Sequence, residues 1–187
     1  SEYRYRNPIV EDHTLFVTIS QSGETADTLA ALEYARAEKY VGIVTICNVP
    51  TSTMARNADW KIFTNAGPEI GVASTKAFTT QLAALLMLAL SIAKSQDKNA
   101  KKRKQATQEL RETPALVDQA FSLKENISQI TQNISTKHNA LFLGRGMYFS
   151  IAQEGALKLK EISYIHAEAY PAGAVSYTHL TLPTTNS

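Results

Sequence analysis

Apolar residues along this chain fall into two kinds of run. The first is short and continuous: Leu15-Phe-Val-Thr-Ile19, Gly42-Ile-Val-Thr-Ile-Cys47 and Trp60-Lys-Ile-Phe63. Each is too short for a helix and is closed by polar or turn residues, so each is predicted as a strand. The second recurs at helical spacing. Ala26, Leu29, Ala30 and Leu32 stripe a helix of about 24–39, and Leu82 to Ala93 is the apolar heart of a helix of roughly 75–94. A short helix is predicted between them, from Ser52 to Asn57. Strand and helix alternating at this spacing predict an α/β fold with a parallel sheet and right-handed crossovers. Gly42 to Cys47 lacks polar alternation, as a strand covered on both faces does.

Outside this block the pattern weakens. Residues 1–13 are polar, with Pro8, and read as an incoming loop or edge. Residues 95–137 are polar and helical, with Leu110, Leu116, Val117, Phe121, Leu123, Ile127, Ile130 and Ile134 on one face of helices broken near Pro114. This segment reads as a linker between two units. A second beginning follows: Ala140-Leu-Phe-Leu-Gly-Arg-Gly146 is a strand ending in a glycine turn, and a helix runs from about Ser150 through Glu161.

Composition narrows the class without deciding it. The chain has 187 residues, 44% hydrophobic and 19% charged, with a net charge of +2. That describes an ordinary globular protein able to bury a core. The basic run from Lys98 to Lys104 has no interleaved aromatics and reads as a solvated helix start, so no nucleic-acid partner is expected. Cys47 is the only cysteine, which excludes a disulfide framework and a cysteine metal cluster and makes a reducing, cytoplasmic setting the default. Ser1 to Arg6 lacks the apolar core of a signal peptide. The apolar stretch from Leu82 to Ala93 is shorter than the about 20 residues a bilayer needs. It is expected to be a buried core helix, with no membrane partner.

The candidate chemistry lies in the turns. Thr18-Ile-Ser-Gln-Ser-Gly-Glu-Thr25 joins a predicted strand to a predicted helix through small, hydroxylated and amide residues. Backbone N–H groups and the positive end of the helix dipole meet there and suit an anion without any cationic side chain. Ser20, Ser22 and Thr25 add hydroxyls; the plainer alternative is that Ser22 caps the helix. The glycines and lysine of a nucleotide-binding loop are missing, which favours a small phosphorylated molecule. A long loop, Thr64 to Lys76, feeds the apolar helix. Loops leaving the carboxyl ends of strands in a doubly wound sheet share one crevice, so Val72, Ser74 and Thr75 are expected there, with an N-cap the alternative for Ser74. Glu154, Lys158 and Glu161, at i, i+4 and i+7, lie on one helix face. They make either a surface ion-pair ladder or a carboxylate base beside a lysine that stabilises its charged form.

Three segments then match a known family in order: Ile19 to Leu29, Asn65 to Gln81, and Glu154 to Tyr170. They resemble the isomerase part of the isomerising glutamine–fructose-6-phosphate aminotransferases, the glucosamine-6-phosphate synthase family. The resemblance runs to about Gly173 and implies flavodoxin-like three-layer parallel sandwiches, the sugar-isomerase (SIS) domains. It implies a first domain over 1–95, a helical linker over 96–137 and the start of a second domain over 138–173. The implied sugar-phosphate contacts are Ser20, Gln21, Ser22, Thr25, Val72 and Ser74. Glu161 is implied as the carboxylate moving a proton between C1 and C2, with Lys158 beside it. Fructose 6-phosphate and glucosamine 6-phosphate are the implied ligands, with no metal or cofactor and a homodimer in the full-length enzyme. A non-catalytic sugar-phosphate sensor, or a glutamine-independent isomerase or deglycase, is the alternative. The proton-transfer carboxylate favours the enzyme.

The same resemblance implies that the chain is a fragment, inactive alone, because the family's glutaminase domain would precede Ser1. After Gly173 the family continues Glu-Leu-Lys-His-Gly-Pro, whose ring-opening histidine falls at Tyr177 here; His179 is not at that position. Residues 174–187 are therefore expected to be a foreign or out-of-frame tail.

Overall fold

The computed structural model describes residues 2–6 and 8–173. The expectations for 174–187, Tyr177 and His179 lie outside the described residues. The chain divides into two compact units, Ser1–Ile70 with Ser74–Thr113 and Gly71–Ala73 with Pro114–Ser187.

In the first unit, strands β1 (Leu15–Ser20), β2 (Gly42–Cys47) and β3 (Trp60–Phe63) form a parallel sheet in that order. Helices α1 (Ala26–Arg36) and α2 (Thr53–Asn57) are the crossovers. The register sets Thr18 opposite Thr45 and Ser20 opposite Cys47. Alternation along the strands then sorts the side chains into two cores. Phe16 and Ile43 pack with Leu29 and Leu32 of α1, Met54 of α2 and Ala58. Leu15, Val17, Val44 and Ile46 pack with Ala84, Leu85 and Leu88 of helix α3 (Lys76–Ser95). The order of layers is helices, sheet, helix, and every residue of β2 is buried. Among these apolar rows the Thr18 and Thr45 hydroxyls satisfy each other at 2.6 Å, which removes the penalty of burying either alone.

Two features depart from the sequence expectations. Helix α3 was expected to be buried, yet only Ala77 and Ala84 are, while Leu82, Leu86, Met87 and Ile92 are exposed. Only one face of the helix meets the sheet. By length and composition α3 matches a membrane span, but it is packed on an open sheet whose unpaired edges have no place in lipid. Helix α4 (Ala100–Phe121) runs unbroken through Pro114. Proline removes one donor to the carbonyl four residues back, and the turns on either side hold the helix together.

The second unit contains the end of α4, helix α5 (Lys124–Ile134), and a strand–helix–strand element. Strands β4 (Asn139–Gly144) and β5 (His166–Pro171) pair in parallel, and α6 (Tyr148–Ile162) crosses between them. Gly155 lets α6 lie against the Phe142 ring; a Cβ there would stand 2.9 Å from it. Ala152, Ala156 and Ala167 are buried around this contact.

Candidate functional site

The carboxyl end of β1 turns into α1 through Gln21 to Thr25, and hydrogen bonds within the turn fix its shape. Ser20 Oγ accepts from the Gly23 N–H at 3.0 Å and meets Thr25 Oγ1 at 2.9 Å. Ser22 Oγ accepts from the Glu24 N–H at 3.1 Å. Gly23 is in the left-handed region at φ +66, and a Cβ on it would strike Ser52. Glu24 Oε1 accepts from the Thr53 N–H at 2.7 Å, which pulls the turn onto α2 and lowers the Glu24 pKa below its ordinary value, that hydrogen bond being the main cause.

The N-cap of α1 is Thr25, not Ser22. Its carbonyl accepts from Thr28 and Leu29, but its side chain caps no N–H of the helix and points its hydroxyl to Ser20. The N-terminus of α3 is different. Glu69 Oε2 accepts from the Ala77 N–H at 3.2 Å and from Ser74 Oγ at 3.2 Å, so a carboxylate of the chain itself occupies that helix end. Thr75 is the N-cap there, with no side-chain cap of its own. At α3 the Glu69 carboxylate sits on the helix end itself, whereas at α1 the hydroxyls stand beside Glu24, which is engaged by Thr53, and Asp27 of the first turn.

Beside the β1–α1 turn lies an open hollow of about 470 Å³, lined by Gln21, Asn48, Val49, Pro50, Asn65, Gly67 and Pro68. It sits at the carboxyl ends of the parallel strands, where ligands of open α/β sheets bind. Ser20, Gln21, Ser22 and Thr25 are thus brought together in one turn. Ser74 is engaged by Glu69, and Val72 is 87% exposed.

In the second unit, Lys158 Nζ lies 2.8 Å from Glu161 Oε2 and 3.4 Å from Glu154 Oε1. The three side chains are 22%, 34% and 25% exposed respectively, half-buried rather than fully solvated. The Glu161 hydrogen bond, aided by the charge of Glu154, raises the Lys158 pKa against a smaller effect of burial, so the ammonium stays charged. On β5, Glu168 accepts from Tyr170 Oη at 2.6 Å and faces His166 Nε2 at 3.2 Å. No group of three or more His, Cys, Asp and Glu suited to a metal occurs among the described residues.

A family model described as the SIS domain matches residues 1–91 and 133–186. The chain belongs to the SIS-domain family. Its parallel α/β architecture is that of the C-terminal domain of glucosamine-fructose-6-phosphate aminotransferase from Francisella tularensis. The match has TM-score 0.90 and 54% identity, over 94% of this chain and 50% of that one. Among curated relatives, the glutamine–fructose-6-phosphate aminotransferase (isomerizing) of Legionella pneumophila is 53% identical over 97% of this chain. That of Francisella tularensis is 55% identical over the same share. The chain spans about 30% of the length of these relatives.

Several residues that shape this SIS-domain site escaped the sequence reading. Glu24, Asn48, Ser52 and Glu69 act through partners 29, 19, 29 and 8 residues away, for Thr53, Gly67, Gly23 and Ala77 respectively. Only Asn48, as the polar stop of an apolar strand, carried a local signal, and that signal spoke of a turn.

Proposed function

We propose that the chain is the isomerase segment of an isomerising glutamine–fructose-6-phosphate aminotransferase and holds its sugar phosphate at the β1–α1 turn. The observation that carries this reading is the α1 N-terminus, where the N-cap Thr25 makes no side-chain cap and its hydroxyl gathers with those of Ser20 and Ser22 in one turn. A phosphate there gains dipole stabilisation of about 0.3–1 kcal/mol on top of its hydrogen bonds. Gln21 extends the donor set toward the sugar, whereas the Ser74 hydroxyl is spent on Glu69. In the reaction Glu161 takes the proton from C1 and returns it at C2, with the Lys158 ammonium 2.8 Å from it. In this reading the full-length protein is a metal-independent cytoplasmic homodimer that turns fructose 6-phosphate and glutamine into glucosamine 6-phosphate and glutamate.

The test is an NMR titration of the chain with fructose 6-phosphate. Amides from Ser20 to Thr25 shift in the wild type, and the shifts are lost in Ser20→Ala/Ser22→Ala. Unchanged wild-type spectra at millimolar ligand refute the reading.

A further inference from the structure

Asn48 follows the last residue of β2 and makes four hydrogen bonds that converge from two loops. Its backbone N–H donates to the Gln21 carbonyl at 3.0 Å, tying it to the β1–α1 turn. Its side chain spends every partner on the loop after β3. Nδ2 donates to the Gly67 carbonyl at 2.7 Å, and Oδ1 accepts from the Ala66 N–H at 2.8 Å and from Thr64 Oγ1 at 3.2 Å. The loop so held is not a relaxed one. Asn65 and Gly67 both have positive φ, +50 and +69, on either side of the Ala66 N–H that Asn48 fixes. Conformations of this kind persist where the surroundings over-determine them.

The geometry points to Asn48 as a positioning residue that sets the gap between Gln21 and the Asn65–Pro68 lip, and through that gap the grip on the sugar rather than on its phosphate. This rests on the sugar-phosphate reading given above. The two halves of the site differ in how they are built. The phosphate turn closes on itself through Ser20, Ser22 and Thr25 and does not use the Asn48 side chain. The opposite lip of the hollow, Asn65, Gly67 and Pro68, has its backbone held by that side chain. A loss at Asn48 therefore releases one wall and leaves the other intact.

The experiment compares two probes, inorganic phosphate and fructose 6-phosphate, on the purified chain and on Asn48→Ala and Asn48→Asp. Affinities come from NMR titration, and amide hydrogen exchange is followed at Ala66. In Asn48→Ala the Kd for fructose 6-phosphate rises about tenfold, the scale of one net hydrogen bond. The Kd for phosphate changes less than about twofold, and Ala66 exchanges faster. Asn48→Asp keeps the acceptor for Ala66 and Thr64 and loses the donor to Gly67. Its Ala66 protection persists and the ratio of the two affinities shifts by a smaller factor, any general effect of the new charge cancelling in that ratio. The aspartate variant carries the test by itself should the alanine variant fail to fold. Equal weakening of both probes, or an unchanged ratio, overturns the inference. A wild-type chain that binds neither probe overturns the sugar-phosphate reading itself, and this inference with it.

Discussion

Gly23→Ala tests how tightly the β1–α1 turn is built. The new methyl meets two separate penalties. The backbone at φ +66 is left-handed, which costs a non-glycine residue about 1–2 kcal/mol. The methyl also lands 2.2 Å from Ser52 Oγ and 2.5 Å from Ser52 Cβ. Ser52 is 2% exposed and its Oγ caps α2 by accepting from the Ala55 N–H at 3.3 Å, so it cannot step aside freely. Overpacking of this kind costs about 1–3 kcal/mol, and loss of the cap adds about 1 kcal/mol. The expected destabilisation is about 3–6 kcal/mol, a large share of a domain's stability. The assay is urea unfolding followed by circular dichroism, run as a double-mutant cycle with Ser52→Gly. That second change removes the atoms in the way, so the double mutant is more stable than the sum of the two singles by about 1–2 kcal/mol. A Gly23→Ala cost under about 1 kcal/mol, or strict additivity, refutes the reasoning.

Other consequences are equally direct. Ser20→Ala strands the buried Gly23 N–H and costs about 1–2 kcal/mol of stability, read from the shift in the urea midpoint; no shift means the turn stands without it. Glu24 has a depressed folded pKa, so its contribution is present above the ordinary value of 4.5 and is lost as pH falls through the lower folded value. Glu24→Gln therefore flattens stability against pH in this acid window, and identical profiles speak against the Thr53 contact. Lys158 has a raised folded pKa, so its contribution is present below the ordinary value of 10.5 and is lost as pH rises through the folded value. In Glu161→Gln the Lys158 ammonium titrates at lower pH than in the wild type by side-chain NMR, and an unmoved titration shows that Glu161 is not its main partner.

Local rules carried much of the fold. The continuous run from Gly42 to Cys47 named a fully buried central strand because such a strand has no solvent face to mark with polar residues. The i, i+4, i+7 spacing of Glu154, Lys158 and Glu161 likewise sufficed to place them on one face, since helix geometry alone dictates it. The limits of local rules show at α3. Its composition alone argued for a buried helix, but burial depends on what lies opposite, and only the face of Ala84, Leu85 and Leu88 meets the sheet. Pro114 argued for a break, but a single missing donor does not outweigh the bonds of a long helix around it.

The sequence by itself determined the order of strands and helices, the parallel sheet, and the hydroxyl-rich character of the β1–α1 turn. These depend on apolar period and turn chemistry, which act over a few residues. Only the tertiary structure decided how each helix start is filled, because Glu69 reaches back to the start of α3 while the Thr25 hydroxyl turns to Ser20. Only it brought Asn48 against Gly67 and Glu24 against Thr53. Such pairings follow from the order and register of neighbouring strands, which set distant loops side by side and leave no periodic mark in the chain.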